Sequence, residues 1–298
     1  MKYFKENENI VIFDCEKNGK SLEEFLMDRK ISSRLFRKLY RYKNILVNGK
    51  YRRKDLPVRI GDKVVLVMED ETNNIIAENM KLDIIYEDLD LLILNKPENM
   101  VVHITTTHET GTLSNGISNY FKEKGIKKKV RFVNRLDMDT TGILIIAKNP
   151  FAHQQLALQF DQEKVIKKYL TIVEGRVEDD QGTIDLPIGK KDEVSKKRKV
   201  DEAGQRAVTK YIVKERYPDK TLLEVQIITG RSHQIRVHLS HIGHPIVGDS
   251  LYNQENPNIG RQALHSYYLK FKHPRTREDI EFLAELPKDM KELICSSN

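Results

Sequence analysis

The chain has 298 residues, 39% of them hydrophobic and 32% charged, with 51 lysines and arginines against 44 acidic side chains. That composition fills one large domain or two smaller ones, excludes a wholly disordered chain, and leaves a net charge of +7 that favours a polyanionic partner without proving one. Two cysteines near opposite ends, Cys15 and Cys295, offer neither a disulfide framework nor metal-ligand spacing. The apolar runs are too short for a signal-peptide core or a membrane span, so the expectation is a monomer of the reducing cytosol with no membrane partner.

Ser21 and Glu24 form a capping-box pattern, followed by Leu22, Phe25 and Leu26 on one helical face. A second helix is expected from Ser32 or Ser33. Its apolar side is Leu35, Phe36 and Leu39, and its other side carries Arg34, Arg37, Lys38 and Arg41. ILVNGKYRR then reads as a strand entering a tight turn at Asn48-Gly49, and VVLV at 64–67 as a further strand. This order resembles the small RNA-binding domain named after ribosomal small-subunit protein four, over roughly residues 10–70. The resemblance implies RNA phosphate contacts from the basic helix and from a tip at Lys50, Arg52, Arg53 and Lys54; a lone basic stripe would be read as a solvated face.

Residues 70–80, EDETNNIIAEN, are polar and read as a linker, giving domains at 1–75 and 76–298. Beyond it short strands and helices alternate. LDLLILNKP ends a strand at a proline, and VRFVNRLDMDTTGILIIAKN places two strand-like runs around a polar loop. Asn149-Pro150 starts a helix reaching about Phe160. KVIKKYLTIVEG and TLLEVQII are strands, and SHQIRVHLSHIG is a helix closed by Gly243. The charge-rich run GKKDEVSKKRK at 189–199 reads as a mobile surface loop able to touch RNA. The expected class is α+β: a mixed, largely antiparallel β-sheet domain with flanking helices and a central cleft, preceded by the small N-terminal α/β domain.

NRLDMDTTG, residues 134–142, sets Asp137 between two apolar runs. Such an aspartate is usually a turn former, although loops on rigid strands carry many sites. The surrounding RFVNRLDMDTTGILIIAKN resembles the central motif of RluA-type RNA pseudouridine synthases. LNKPENMVVH (94–103), KKYLTIVEG (167–175), ITGRSHQIRVHLSHIGHPIVGD (228–249) and ALHSYYLKFKHPRT (263–276) resemble four further family segments in the same order. The resemblance spans roughly residues 80–285.

It implies isomerisation of uridine to pseudouridine in structured RNA, with large-subunit ribosomal RNA expected first and transfer RNA second. Asp137 matches the catalytic aspartate, Tyr169 the tyrosine that stacks on the uracil, and Arg231 the arginine that pairs with the aspartate. Arg135 matches an arginine able to fill the place of an everted base, or makes an ordinary salt bridge. Lys167 shapes the pocket, or is a solvated strand lysine. The reaction breaks the glycosidic bond, turns the base and rejoins it through carbon 5, so it requires an ionised carboxylate but no redox cofactor and no metal. The family usually has histidine where this chain has Asn134, which cannot titrate near neutral pH. Asp139 raises a glycosidase-like rival, and a non-catalytic RNA-binding or ribosome-assembly factor is the other. His233, His238, His241 and His244 are read as satisfied histidines rather than zinc ligands.

Overall fold

The computed structural model describes residues 4–192 and 197–295. The N-terminal unit is built on β1 (Ile10–Asp14), α1 (Leu22–Asp28), α2 (Ser33–Arg41), β2 (Ile45–Val47), β3 (Lys50–Tyr51) and β4 (Lys63–Val67). Its antiparallel sheet runs β1-β4-β2-β3. The Ser21–Glu24 capping box is made in both directions, and Ser32 caps α2 by accepting from the Leu35 N–H. The apolar faces of both helices are buried on the sheet. Asn48 (φ 51°) and Gly49 (φ 79°) both take the left-handed conformation that a two-residue hairpin needs. The strand β1 was not anticipated, because its sole local signal is one short apolar run.

The anticipated linker carries no helix or strand, yet it is not a free tether. The amide of Glu71 donates to Lys127 O (2.8 Å), and Arg131 pairs with the Glu71 carboxylate. Asn115 Nδ2 donates to Ile76 O (2.9 Å), and Ser118 Oγ to Ile75 O (2.9 Å). Both of these donors lie on the helix Leu113–Glu123.

The larger unit follows as β5 (Ile84–Glu87), β6 (Leu91–Lys96), α3 (Leu113–Glu123), β7 (Thr141–Ala147), α4 (Pro150–Asp161), β8 (Ile166–Glu174), β9 (Gln181–Asp185), β10 (Ile188–Lys190), β11 (Arg198–Val200), β12 (Val208–Arg216), β13 (Lys220–Ile227), α5 (Gln234–His241), β14 (Leu264–Lys272), β15 (Asp279–Leu283) and α6 (Lys288–Cys295). One sheet runs β5-β6-β7-β14-β8-β13-β12-β9, with β15 also on β14. The β7–β14 pair is parallel and the others antiparallel, so the sheet is mixed and largely antiparallel, as expected. Two local expectations are corrected. VRFV forms no strand, only a bridge from Phe132 to Ile146. The flanks of the charge-rich run pair as the hairpin β10–β11, and its residues 193–196 lie outside the described residues.

The two units share contacts. Phe151 of α4 belongs to the N-terminal core. Gln155 Nε2 donates to Arg29 O and Lys30 O (3.1 Å each), and Arg275 binds Ile10 O (2.7 Å) and the buried Asp90.

The β7–β14 junction decides where the Asp137 loop sits. A Cβ on Gly142 (φ 108°) would stand 2.2 Å from Ser266 O, so only glycine lets these strands meet here. Beside it, buried His265 donates from Nε2 to Ala284 O (3.3 Å), and its Nδ1 lies 2.8 Å from Thr141 Oγ1. Burial lowers its pKa to about 4. The unfolded ring protonates below about 6.5 and the folded one only below about 4, so stability held at neutral pH is lost as pH falls through that window, by about 3 kcal/mol. Urea midpoints at pH 7 and pH 5 should therefore fall less in His265→Gln, which keeps a donor and an acceptor, than in the parent. Equal falls would show that His265 is not the acid-sensitive group.

Candidate active site

The Asp137 loop is held residue by residue. A turn closes it, Thr140 N–H donating to Asp137 O (3.1 Å). The almost fully buried Lys96 donates from Nζ to Pro97 O (2.8 Å), Met100 O (3.0 Å) and Met138 O (2.6 Å). Arg261 donates to Asp139 O (3.2 Å), and Gln262 Nε2 to Thr140 Oγ1 (3.2 Å). Asn134 spans the loop base, donating to Ile143 O (3.1 Å) and accepting from Ile145 N (2.8 Å). It acts as a backbone clamp, a task that needs an amide and no titrating group. Burial lowers the Lys96 pKa to about 8, opposed by the charge of Asp139.

The loop opens on a cavity of about 290 Å³, whose walls include Arg135, Asp137, Lys167, Tyr169, Arg231, His233 and Arg236. Asp137, Tyr169 and Arg231 therefore share one cavity. The aspartate's cation, however, is Arg236 rather than the expected Arg231. Arg236 Nη1 donates to Asp137 Oδ2 at 3.0 Å. Its Nε and Nη2 bind both oxygens of Asp249 at 2.7 Å each. Asp249 is fully buried and also accepts from the amides of Leu251 and Tyr252. These two carboxylates hold the Arg236 guanidinium charged against the cost of burial. Arg231 lies in the turn before α5, where Nε donates to Arg206 O (3.1 Å) and Nη1 to Gln205 Oε1 (3.0 Å). Five residues separate the two arginines, and Arg236, inside α5, takes the inward position while Arg231 precedes the helix. A cation next to the apolar position Ile235 in the helix's first turn was the signal available in the sequence; Asp249 left none.

Tyr169 stands on β8 with its ring buried. Burial, with the nearby Asp137 charge, pushes its hydroxyl pKa up to about 12, against a lowering contribution from Ser266. At neutral pH the hydroxyl is a donor and not a base. Lys167, two residues earlier on the same face, is buried rather than solvated. Its Nζ lies 3.3 Å from Ile228 O, 3.5 Å from Thr229 O and 5.5 Å from the Phe160 ring centre, and burial lowers its pKa. Arg135 is exposed at the mouth, with no carboxylate partner among the described residues. Asp139 is not among the cavity's lining residues, so it makes no acid–base pair with Asp137 across it.

The histidines are each placed differently. His238 binds Thr209 Oγ1 and Leu186 O (2.9 Å each), and His244 Nδ1 lies 3.0 Å from Glu174 O. His233 lines the cavity, with Nδ1 2.9 Å from Tyr252 Oη and Nε2 3.9 Å from Asp137 Oδ2.

Residues 90–241 match the family model described as RNA pseudouridylate synthase. The chain belongs to the RNA pseudouridine synthase family. It is 45% identical over 255 residues to the Bacillus subtilis uncharacterized RNA pseudouridine synthase YlyB, covering 84% of each chain. It is 33% identical over 296 residues to the Buchnera aphidicola ribosomal large subunit pseudouridine synthase D, covering 93% of this chain and 94% of that one. Among solved structures, human RNA pseudouridylate synthase domain containing 4 superposes with a TM-score of 0.60 at 25% identity, covering 72% of this chain and 92% of that one. As a family member this pseudouridine synthase is an isomerase that modifies RNA. No helix among the described residues is long and apolar enough to cross a membrane.

Proposed function

We propose that the enzyme converts specific uridines of large-subunit ribosomal RNA to pseudouridine, with Asp137 as the working carboxylate. The observation that carries this is the Asp137–Arg236 pair at 3.0 Å, set in one cavity with the buried ring of Tyr169. A carboxylate that attacks or takes a proton must be held in a fixed orientation, and the Arg236 guanidinium, itself anchored by Asp249, supplies that hold. The Tyr169 ring holds the detached uracil by stacking while leaving it free to turn. Arg231 and Arg135 at the cavity rim face the RNA, Arg135 where an everted base leaves a gap. Lys167 stiffens the wall beside Tyr169. The reaction is a net isomerisation and needs neither a redox cofactor nor a metal. Large-subunit ribosomal RNA is favoured because a relative aligned along 93% of this chain is named ribosomal large subunit pseudouridine synthase D. The enzyme is read as a cytoplasmic monomer.

The N-terminal unit, residues 1–75 ahead of a catalytic domain at 76–298, is assigned to RNA anchoring. Arg34, Arg37, Lys38 and Arg41 of α2 are exposed, with no carboxylate partner among the described residues. At the hairpin tip, by contrast, Arg52, Arg53 and Lys54 are paired with Asp62, Asp55 and Glu23. Of the four tip cations only Lys50 lacks a carboxylate partner among the described residues, so the helix is assigned the larger share of the phosphate contacts. Replacing all four α2 cations by Gln should weaken RNA binding and lower the slope of log affinity against log salt by about 0.7 to 0.9 per lost contact. An unchanged slope would make the stripe a solvated face.

Sequencing pseudouridines in cells with and without the gene tests the substrate. Missing sites in large-subunit ribosomal RNA support the assignment, while missing sites in transfer RNA alone overturn it. A tritium-release assay on RNA labelled at uridine carbon 5 tests the chemistry: release with the chain intact is isomerisation. Free uracil with an abasic RNA would indicate a hydrolase, and neither would indicate a binding factor.

A further inference from the structure

His233 occupies an unusual position. It is the residue before α5 and takes a left-handed backbone (φ 56°, ψ 20°), which a non-glycine residue adopts at a cost of about 1 kcal/mol or more. That backbone brings the ring into the catalytic cavity, and the ring is locked from behind. The Arg198 N–H of β11 donates to Tyr252 Oη at 2.7 Å; the Tyr252 hydroxyl hydrogen meets no other acceptor among the described residues and is assigned to His233 Nδ1 at 2.9 Å. The Tyr252 ring stands edge-on to the imidazole, with centroids 5.8 Å apart and planes at 86°. With Nδ1 accepting, the proton of the neutral ring is on Nε2. Burial, Arg236 and Arg198 disfavour the charged ring, and Asp137 and Asp249 oppose them; the net shift is downward. Nε2–H therefore points into the cavity 3.9 Å from Asp137 Oδ2, too far for a hydrogen bond, and it has no other hydrogen-bond partner among the described residues. A fixed, unused donor stands beside the reacting carboxylate.

We propose that His233 positions the substrate by donating its Nε2–H to a carbonyl oxygen of the target uracil. The inference rests on the reading of Asp137 as the working carboxylate. The chemistry favours a donor here twice. When the bond between N1 and the sugar breaks, negative charge spreads over the uracil carbonyls, and a preorganised donor stabilises it. The base must then bring C5 to the place that N1 held, and a half-turn about the axis through N3 and C6 does this while also exchanging O2 with O4. In that half-turn a donor fixed in the protein meets one carbonyl oxygen before the turn and the other after it, serving both halves of the reaction without moving. Tyr252 is the part that keeps it still.

Two substitutions separate this role from a structural one. Asn tolerates the left-handed backbone and can place its amide near Nδ1, against Tyr252, but does not reach Nε2. Gln can place an N–H close to Nε2. With total RNA from cells lacking the gene, single-turnover pseudouridine formation should fall about 10- to 100-fold in His233→Asn, at unchanged half-saturating enzyme, and largely recover in His233→Gln. A target transcript made with 2-thiouridine, whose sulfur accepts poorly, should slow the parent enzyme but not slow His233→Asn further. The proposal is overturned if His233→Asn turns over like the parent, if Asn and Gln are equally impaired, or if the losses from 2-thiouridine and His233→Asn simply multiply. Turnover surviving in Asp137→Asn would instead overturn the underlying site assignment, a result these outcomes do not mimic.

Discussion

Asp137→Asn is expected to lower pseudouridine formation by at least about 10⁴-fold while changing RNA affinity less than about twofold. Loss of an essential group of this kind typically costs several orders of magnitude. The amide is nearly isosteric with the carboxylate, so the loop clamps from Lys96, Arg261 and Asn134 have no reason to move. Arg236 keeps its two bonds to Asp249, so no buried charge is left unpaired. What disappears is the negative charge needed to attack or deprotonate the nucleoside. Tritium release under single-turnover conditions and filter binding measure the two quantities separately. Substantial residual turnover would remove Asp137 from the chemistry; a large loss of affinity would turn it into a binding residue.

The second large effect is expected at Arg236, and it has two parts. Arg236→Met strips the cation from Asp137 and leaves Asp249 buried with its charge uncompensated, a situation that costs about 3 to 5 kcal/mol. Activity should fall about 10²- to 10³-fold, and the denaturation midpoint should drop sharply. Arg236→Met combined with Asp249→Asn removes both buried charges, keeps an acceptor for the Leu251 and Tyr252 amides, and should recover much of the stability. It should recover none of the activity, because Asp137 still lacks its partner. Arg231→Met should act mainly on RNA affinity, since Arg231 binds Arg206 O and Gln205 Oε1 and not the aspartate. If Arg231→Met stopped turnover while Arg236→Met preserved it, the pairing described here would be irrelevant to catalysis.

Much of the fold was legible along the chain because its signals are short-range. The Ser21 box, the Ser32 cap and the Asn149-Pro150 start mark α1, α2 and α4 through hydrogen bonds spanning three or four residues. The run GILIIA is buried at every position of β7, as an unbroken apolar stretch predicts. Where pairing partners lie far away, legibility fails. VRFV has the composition of a strand but gains only a bridge to Ile146. The short β1 becomes a strand because β4, some fifty residues later, lies beside it. The run at 189–199 reads as a loop by charge, yet its flanks close into a hairpin whose Arg198 N–H meets Tyr252.

The site divides the same way. Asp137, the tyrosine of the KKYLTIVEG strand and the turn before α5 could be located in the sequence, because the stretches that carry them resemble family segments in the same order. Which arginine reaches the aspartate could not be located. Arg231 and Arg236 lie in the same stretch, and the choice between them depends on where the first turn of α5 points relative to a loop 99 residues away. The roles of Asp249, Tyr252 and Lys96 belong to that class as well: each is settled by what faces it across the fold. Sequence alone determined the kinds of chemical group present and the local frames that carry them. Tertiary structure decided which charges meet, because the reach and burial of a side chain depend on neighbours brought close by packing rather than by order along the chain.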